Sequence, residues 1–569
     1  MKPIQAAFIN PSGKEDLTHP ERRVPLQLSE DDLISHIHGV GSTRSGKSKW
    51  LEWFCRELYR RYIGFTILDP QGAFSEDLLA WLCVKVPDTP VIYFDPNRED
   101  YVVPFNPFRP VEGDPSQPSY LTKVATQASR QRAAILRVWN AESAETTPRL
   151  ARWLYVLFYV FARGLASFND AARLLALEGS KERQRIIAAL GPEEQSVADE
   201  WRDLESLSKR STDFLNQIES VKNRLFSFVT QPRLKQIFSM EGLSLDQAFR
   251  DRAIVICNLK PGDALHEDET KILGALIIND LWSSVARYVR QPNETPYYLF
   301  IDEVQKFVTP DLKEILDRGA GKGLRLGVFH QHLDQLREQD PRTYASIVTN
   351  GKIKLAFGGL SYGDARTMVD EMFAGQLDLK EVKNQIEQTK FWPTYDREIV
   401  RSKSMGQTTG ESQGQGFGEG FSNSSGIQFL SDTDAAEGRY SFNHGASASN
   451  FSSRGSHSAS SESEGIADVP IYRPVPFTEL SSTEFYSLEE QKERMAWAIM
   501  RQYQRHLFIR IPGMPTQPAL TPFVSTQRLP PEREAEEITR QFVFPYGMPL
   551  EALAPSQSAE ELPEPENDD

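Results

Sequence analysis

Between residues 41 and 48 the chain reads GSTRSGKS, a full match to G-x-x-x-x-G-K-[ST]. Such a string has a physical use. The two glycines let the backbone curl until successive N–H groups point inward at an anion, and the lysine reaches along a chain of phosphates. Gly41, Ser42, Thr43, Arg44, Ser45, Gly46, Lys47, Ser48 and Lys49 are therefore the candidate nucleotide-binding residues. Lys47 is directed at the β- and γ-phosphates and the Ser48 hydroxyl at a metal, so the implied cofactors are ATP and Mg²⁺.

A phosphate cradle needs an acidic partner. YYLFIDE (297–303) is an apolar run ending in Asp302, which would hold Mg²⁺ through water, and Glu303, which would orient the attacking water. Adjacent carboxylates also end ordinary strands; beside a complete P-loop they read as the hydrolytic half of a site. LRLGVFHQ (324–331) ends in Gln331, either a sensor of the γ-phosphate or a polar residue closing a strand. His36, His38, His330 and His332 read as structural, and Cys55, Cys83 and Cys257 as buried small hydrophobes without metal-ligand spacing.

These groups must be positioned by secondary structure. ISHIHGV (34–40) is a short strand leading into the Gly-rich loop. Leu51, Phe54, Cys55, Leu58 and Tyr62 share one face of a helix over 48–62, which Gly64 stops. FTILD, VIYFD, AIVICNL and KIKLAFGG have the continuous apolar character of buried parallel strands. Three strands before residue 115 and four after 244 flank a stretch with helical periodicity throughout, in which Pro148 and Asn169 mark helix starts.

The expected fold class is α/β: a RecA-like P-loop NTPase with a mostly parallel central sheet, an inserted all-α domain and a disordered Ser/Gly-rich segment. In domains this gives an N-terminal extension (1–30), the ATPase domain (31–114 and 245–403), the all-α insertion (115–244), a disordered linker (404–465), a C-terminal helix–strand segment (466–530) and an acidic disordered tail (531–569).

Composition bounds the rest. The net charge of −15 gives no support for a nucleic-acid-coating surface, although seven acidic residues lie beyond position 550 with no Lys or Arg among them. The N-terminal segment lacks an apolar signal core, and WLYVLFYVFA (153–162) is much shorter than the ~20 residues a membrane span requires. A soluble, cytoplasmic protein is expected.

Taken in order, HIHGVGSTRSGKS, ILDPQGAF, PFNPF, YYLFIDEVQKF and ILDRGAGKGLRLGVFHQHLDQL resemble the HerA–FtsK group of P-loop ATPases, and within it soluble TraG/TraD-like conjugative coupling proteins of type IV secretion. The likeness runs over about 34–400. It implies a hexameric ring with ATP at subunit interfaces and DNA in the channel, and a nuclease or secretion complex as partner. It also implies phosphate and Mg²⁺ binding by Lys47 and Ser48, hydrolysis by Asp302 and Glu303, and sensing by Gln331. The group often carries an arginine finger three residues before the glycine that precedes the glutamine strand. That glycine is Gly323 here, and the matching position is Ala320. Arg318, Lys322 and Arg325 are the substitutes, Arg318 first because it lies in the same loop.

The cargo is less legible. Lys209, Arg210, Lys222, Arg224, Arg233, Lys235, Lys352 and Lys354 are either DNA contacts or a solvated face. A DNA-translocating ATPase ranks first, a protein-trafficking ATPase of a secretion apparatus second, and a slow nucleotide-gated scaffold third.

Overall fold

A computed structural model describes residues 3–10, 23–85, 87–139, 148–238, 240, 242–292, 294–408, 422–428, 441–447, 459–526 and 528–553. It comprises two units, residues 1–377 with 489–569, and residues 378–488.

The first unit is organised by one eleven-stranded sheet. Along the chain its strands are β1 (Ile4–Ile9), β2 (Val24–Leu28), β3 (Ile37–Val40), β4 (Phe65–Asp69), β5 (Val91–Phe94), β6 (Ile254–Asn258), β7 (Tyr297–Ile301), β8 (Leu324–His330), β9 (Ile353–Phe357), β10 (His506–Arg510) and β11 (Gln517–Leu520). Their spatial order is β2-β1-β11-β10-β9-β3-β8-β7-β4-β6-β5. The run from β9 to β5 is parallel throughout. Beyond β9 every pairing is antiparallel. All residues of the seven parallel strands are buried; β4 to β7 read as near-continuous apolar runs, whereas β3, β8 and β9 bury His38, Arg325, His330 and Lys354 among their apolar residues.

Helix α1 (Lys47–Tyr59) packs Trp50, Leu51, Phe54, Cys55 and Leu58 into the core. It ends three residues before the expected Tyr62, which is left-handed (φ 56°) and 66% exposed. Ile63 N–H instead turns back to the Leu58 carbonyl. Gly64 is required at the next position by a close approach: a Cβ there would lie 2.5 Å from the Arg252 carbonyl carbon and oxygen.

Among the described residues from 118 to 250 the regular elements are helices only, from Pro118–Val138 to Leu245–Arg250. Arg224, named above as a possible DNA contact, stacks its guanidinium over Trp139 at 5.9 Å. Lys354 is buried, donating to the Val348 carbonyl and to Glu371 (3.2 Å), so it does not face outward.

Three expectations need correction. Residues 4–9 and 24–28, read as an extension without periodicity, are sheet strands, because β1 finds its partner in β11 some 500 residues further on. The tail is structured over 531–553: Pro531–Ile538 is a helix, Phe542 and Val543 are buried, and Met548–Pro549 pairs with Tyr101–Val102. Phe542 and Val543 in the core, with Ile538, Tyr546, Met548 and Leu550 packed against it, anchor the segment, and the surrounding Glu and Pro hide them in a compositional average. Residues 554–569 lie outside the described residues.

In the second unit Val382–Thr408 pairs antiparallel with Ala459–Phe485, and Ser422–Gln428 with Ser441–Ser447. Residues 404–408, 422–428, 441–447 and 459–465 are therefore strand where a disordered linker was expected, and 466–485 is strand before the C-terminal helix Leu488–Met500. Backbone pairing supplies order that a Ser/Gly composition does not advertise. The remainder of 404–465 lies outside the described residues.

The crowding at Gly64 is directly testable. Gly64→Ala is expected to destabilise the protein by about 1–3 kcal/mol in urea denaturation, because backbone must move. Gly363→Ala, whose Cβ meets nothing within 4 Å in the helix Tyr362–Phe373, should be neutral or stabilising by up to about 1 kcal/mol. Equal effects of the two would contradict this packing.

Candidate nucleotide-binding site

The P-loop leaves β3 at Val40 and is pinned from both sides. Gly41 N–H donates to the His330 carbonyl at the tip of β8 (3.3 Å), and Ser42 N–H to the Gly358 carbonyl just past β9 (3.2 Å). Left-handed Arg44 (φ 63°) and Gly46 (φ 114°) then reverse the chain so that α1 starts at Lys47. For an arginine that conformation costs roughly 1–2 kcal/mol. It persists because the loop is held by its neighbours.

Lys47 is buried, and its ammonium donates to the Gly41 and Ser42 carbonyls. Across the cleft stand the carboxylates after β7. Asp302 is 4% exposed, and burial, then Asp69 and Glu303, push its carboxyl up to about 7, against the opposing pull of Lys47. Burial also lowers Lys47, with Asp302 and Glu303 acting the other way. The site is a crowd of buried acids facing one buried cation.

Glu303 is left-handed (φ 50°) and hydrogen-bonded on both oxygens. Its Oε2 accepts from Gln305 (2.7 Å). Its Oε1 accepts from Gln331 Nε2 at 2.6 Å, while Gln331 Oε1 accepts from the Thr43 hydroxyl at 2.9 Å. Gln331 thus joins the P-loop to the hydrolytic carboxylate in one chain of contacts. Asp69, at the end of β4, accepts backbone N–H groups from Gln71 (2.9 Å), Gly72 (3.0 Å) and Ser75 (2.8 Å), which builds the DPQG turn and the start of the following helix.

Ser42, Thr43, Arg44, Gly46, Lys47, Ser48 and Lys49 line one cleft with Asp302, Glu303 and Gln331. Gly41 and Ser45 shape it from behind; the Ser45 hydroxyl donates to the Ser42 carbonyl (2.8 Å). Lys49 sits at the rim, paired with Glu52 and Asp77. Arg318 is not brought into the cleft; it is exposed on the π-helical segment Ile315–Gly319, where a loop was expected. Of its alternates, Lys322 donates to the Tyr288 carbonyl (3.2 Å), and Arg325 is fully buried with its guanidinium on the Ala320 carbonyl (2.6 Å). Arg325 therefore has no free reach. Gln71 and Gln504 also line the cleft, and sequence reasoning missed both. Gln71 had a signal, its place in the DPQG turn. Gln504 had none, being some 450 residues from the loop it joins.

The residues present fit Mg²⁺. Among the described residues no cluster of three or more His, Cys, Asp or Glu could cage a metal alone. An ion held by Ser48 and Asp302, with phosphate and water completing its shell, suits the open coordination that Mg²⁺ prefers. It would also relieve the crowding of acids around Asp302.

Two buried histidines lie beneath the loop, and a third, His36, lies at the other end of β3. His38 and His330 meet Nε2 to Nε2 at 2.8 Å with stacked rings, tying β3 to β8. His330 Nδ1 faces the His332 carbonyl (3.0 Å). Burial lowers both pKa values, that of His330 to about 4. His36 accepts from Leu326 N–H (2.8 Å) and is also pushed down to about 4, by burial and then by the charge of Arg325.

Residues 296–414 match the family described as the TraM recognition site of TraD and TraG. No curated protein matches the sequence. Among solved structures, the unbound bacterial conjugative coupling protein TrwBdeltaN70 is similar with a TM-score of 0.51 and 12% identity, covering 93% of this chain and 96% of that one. The plasmid coupling protein TrwB in complex with ADP and Mg²⁺ gives a TM-score of 0.50, 12% identity and coverage of 93% and 97%. TrwB with a non-hydrolysable ATP analogue gives the same values. The shared fold is α/β, with a large, mostly parallel mixed sheet and helical regions. The resemblance to TraG/TraD-like coupling proteins read from the sequence is borne out. Among the described residues no helix is long and apolar enough to cross a membrane.

The histidine environment fixes a sign. With its folded pKa near 4 and an unfolded value of 6.5, His36 contributes stability that is fully present above pH 6.5 and is lost as pH falls towards 4. His36→Asn keeps an acceptor for Leu326 N–H but cannot titrate. Between pH 7.5 and 5, wild type should lose about 2 kcal/mol more than the variant in urea denaturation. Parallel pH profiles would contradict the assignment.

Proposed function

From the premise that this chain has the fold and family signature of the TraG/TraD-like coupling proteins, we propose that it is an ATP hydrolase that assembles as a ring, a hexamer, and drives DNA through its channel. The observation that carries this reading is the meeting of Lys47, Asp302, Glu303 and Gln331 in one cleft at the ends of parallel strands, where open α/β sheets bind ligands.

The roles follow from position. Loop N–H groups and Lys47 bind the phosphates, and the start of α1 adds its positive end. Ser48 and Asp302 would hold Mg²⁺, which would supply positive charge against the triphosphate. Glu303 orients the attacking water and takes its proton as the γ-phosphoryl is released. Gln331, bonded to Glu303 and to Thr43, is placed to relay the state of the γ-phosphate into the P-loop.

Arg318, exposed and away from its own cleft, is proposed to act on the neighbouring subunit's nucleotide, where such an arginine is worth on the order of 10³-fold in turnover. A ring is thus part of the site. The core at residues 31–114 and 245–403 is proposed as the ATPase domain, and 115–244 as its helical insertion. The match at 296–414 supports a TraM-like accessory protein as a partner, and a cytoplasmic setting is proposed with it. A protein cargo within a secretion apparatus is the alternative.

Steady-state ATP turnover with and without single- and double-stranded DNA tests the reading. Lys47→Ala should abolish turnover, and Glu303→Gln should reduce it by at least about 10²-fold while leaving nucleotide bound. DNA should stimulate wild type in a salt-sensitive way. Turnover unchanged in Lys47→Ala would remove the enzyme claim. Indifference to every nucleic acid, with stimulation by a protein substrate, would favour the alternative.

A further inference from the structure

A triphosphate cradle fixes only one end of a nucleotide. The carboxylates lie on the β8–β7 side of β3, so a phosphate chain with its γ end beside them would direct its nucleoside to the other side, towards β9 and β10. What stands on that side is the turn that precedes β10. Gly359 N–H donates to the Met500 carbonyl (3.1 Å), and Gln502 Nε2 to the Ala356 carbonyl (3.4 Å). Arg505 N–H donates to the Ser45 carbonyl inside the P-loop (2.9 Å). Arg505 is left-handed (φ 71°), and its N and Cα lie 3.1 and 3.2 Å from where a Cβ on Gly46 would be. The same residue is bound twice to Thr521: Thr521 N–H donates to its carbonyl (2.9 Å), and its guanidinium to the Thr521 carbonyl (2.7 Å).

The C-terminal strand pair is therefore fastened directly to the phosphate loop, and it carries two groups that the core does not need. Gln504 is exposed and lines the nucleotide cleft. Phe523 is 73% exposed, with the Arg505 guanidinium 5.6 Å from its ring centre. The Phe523 ring does not itself line the cleft; it is joined to it through Arg505, whose N–H holds the Ser45 carbonyl, and its solvent-exposed face can stack on a flat, π-rich ligand.

We propose that Phe523, with Arg505 and Gln504, forms the nucleobase subsite of this cleft. The ring and guanidinium stack with a purine, and the Gln504 amide, donor and acceptor in one group, reads its edge. The subsite rests on the nucleotide-binding reading above and names the part of the ligand that reading leaves unassigned.

Affinities of the full chain for Mg²⁺–ADP and Mg²⁺–pyrophosphate, measured side by side by calorimetry, separate the two. Wild type should hold ADP at least about tenfold more tightly than pyrophosphate. Phe523→Ala should erase most of that preference, weakening ADP about tenfold and leaving pyrophosphate unchanged. Phe523→Trp should retain it. Gln504→Ala should shift the ADP-to-GDP affinity ratio with pyrophosphate again unchanged. An unaltered ADP-to-pyrophosphate ratio in Phe523→Ala overturns the subsite, and so does an equal loss of both ligands, which would place the effect in the loop. If Lys47→Ala fails to weaken pyrophosphate, the phosphate cradle itself falls, a separate failure.

Discussion

Three carboxyl groups gather at the end of a buried parallel sheet: Asp302 and Glu303 face a single buried ammonium on Lys47, and Asp69 crowds Asp302. Charges withdrawn from water are costly unless they are paired and hydrogen-bonded. Each group here is handled differently. Asp69 is consumed by three backbone N–H groups, Glu303 is held by Gln305 and Gln331, and Asp302 responds by holding its proton more tightly. For such a cluster to take a divalent cation and its phosphates as proposed, the Lys47 ammonium would exchange the Gly41 and Ser42 carbonyls for phosphate oxygens. The strand order makes it possible: β8 lies between the loop strand β3 and the acidic strand β7, so Gln331 can touch both sides at once.

The remainder of the first unit holds that edge in place. The stacked histidines tie β3 to β8 beneath the loop. Strands from both chain ends extend the sheet beyond β9, and the turn before β10 grips Ser45 from the side away from the carboxylates. The P-loop is therefore clamped between the segment that would perform the chemistry and a segment that reaches it only through the completed fold. Its left-handed Arg44 is tolerable for that reason.

What could be read in the sequence follows from locality. The parallel strands are legible because burial on both faces leaves most of their residues apolar, and the loop because its glycines and lysine fall within eight consecutive residues. Asp302, Glu303 and Gln331 are legible as strand endings beside a phosphate motif. The pairing of β1 with β11, the ribbon at 382–408 and 459–485, and the roles of Gln504 and Arg505 are not, since each depends on partners far along the chain that share no local pattern. Tyr62 has the spacing of the apolar face of α1, but the helix ends at Tyr59, where the chain turns to pass Arg252. Arg318 remains a reading from the resemblance, since its partner would be another subunit.

The central claim is that Lys47 and Asp302 serve one magnesium–triphosphate. A structure of the protein with Mg²⁺ and a non-hydrolysable ATP analogue tests it most directly. The account predicts the Lys47 ammonium on β- and γ-phosphate oxygens, and Ser48 and Asp302 around the same ion. A triphosphate bound elsewhere, or an ion that leaves Asp302 untouched, would contradict it.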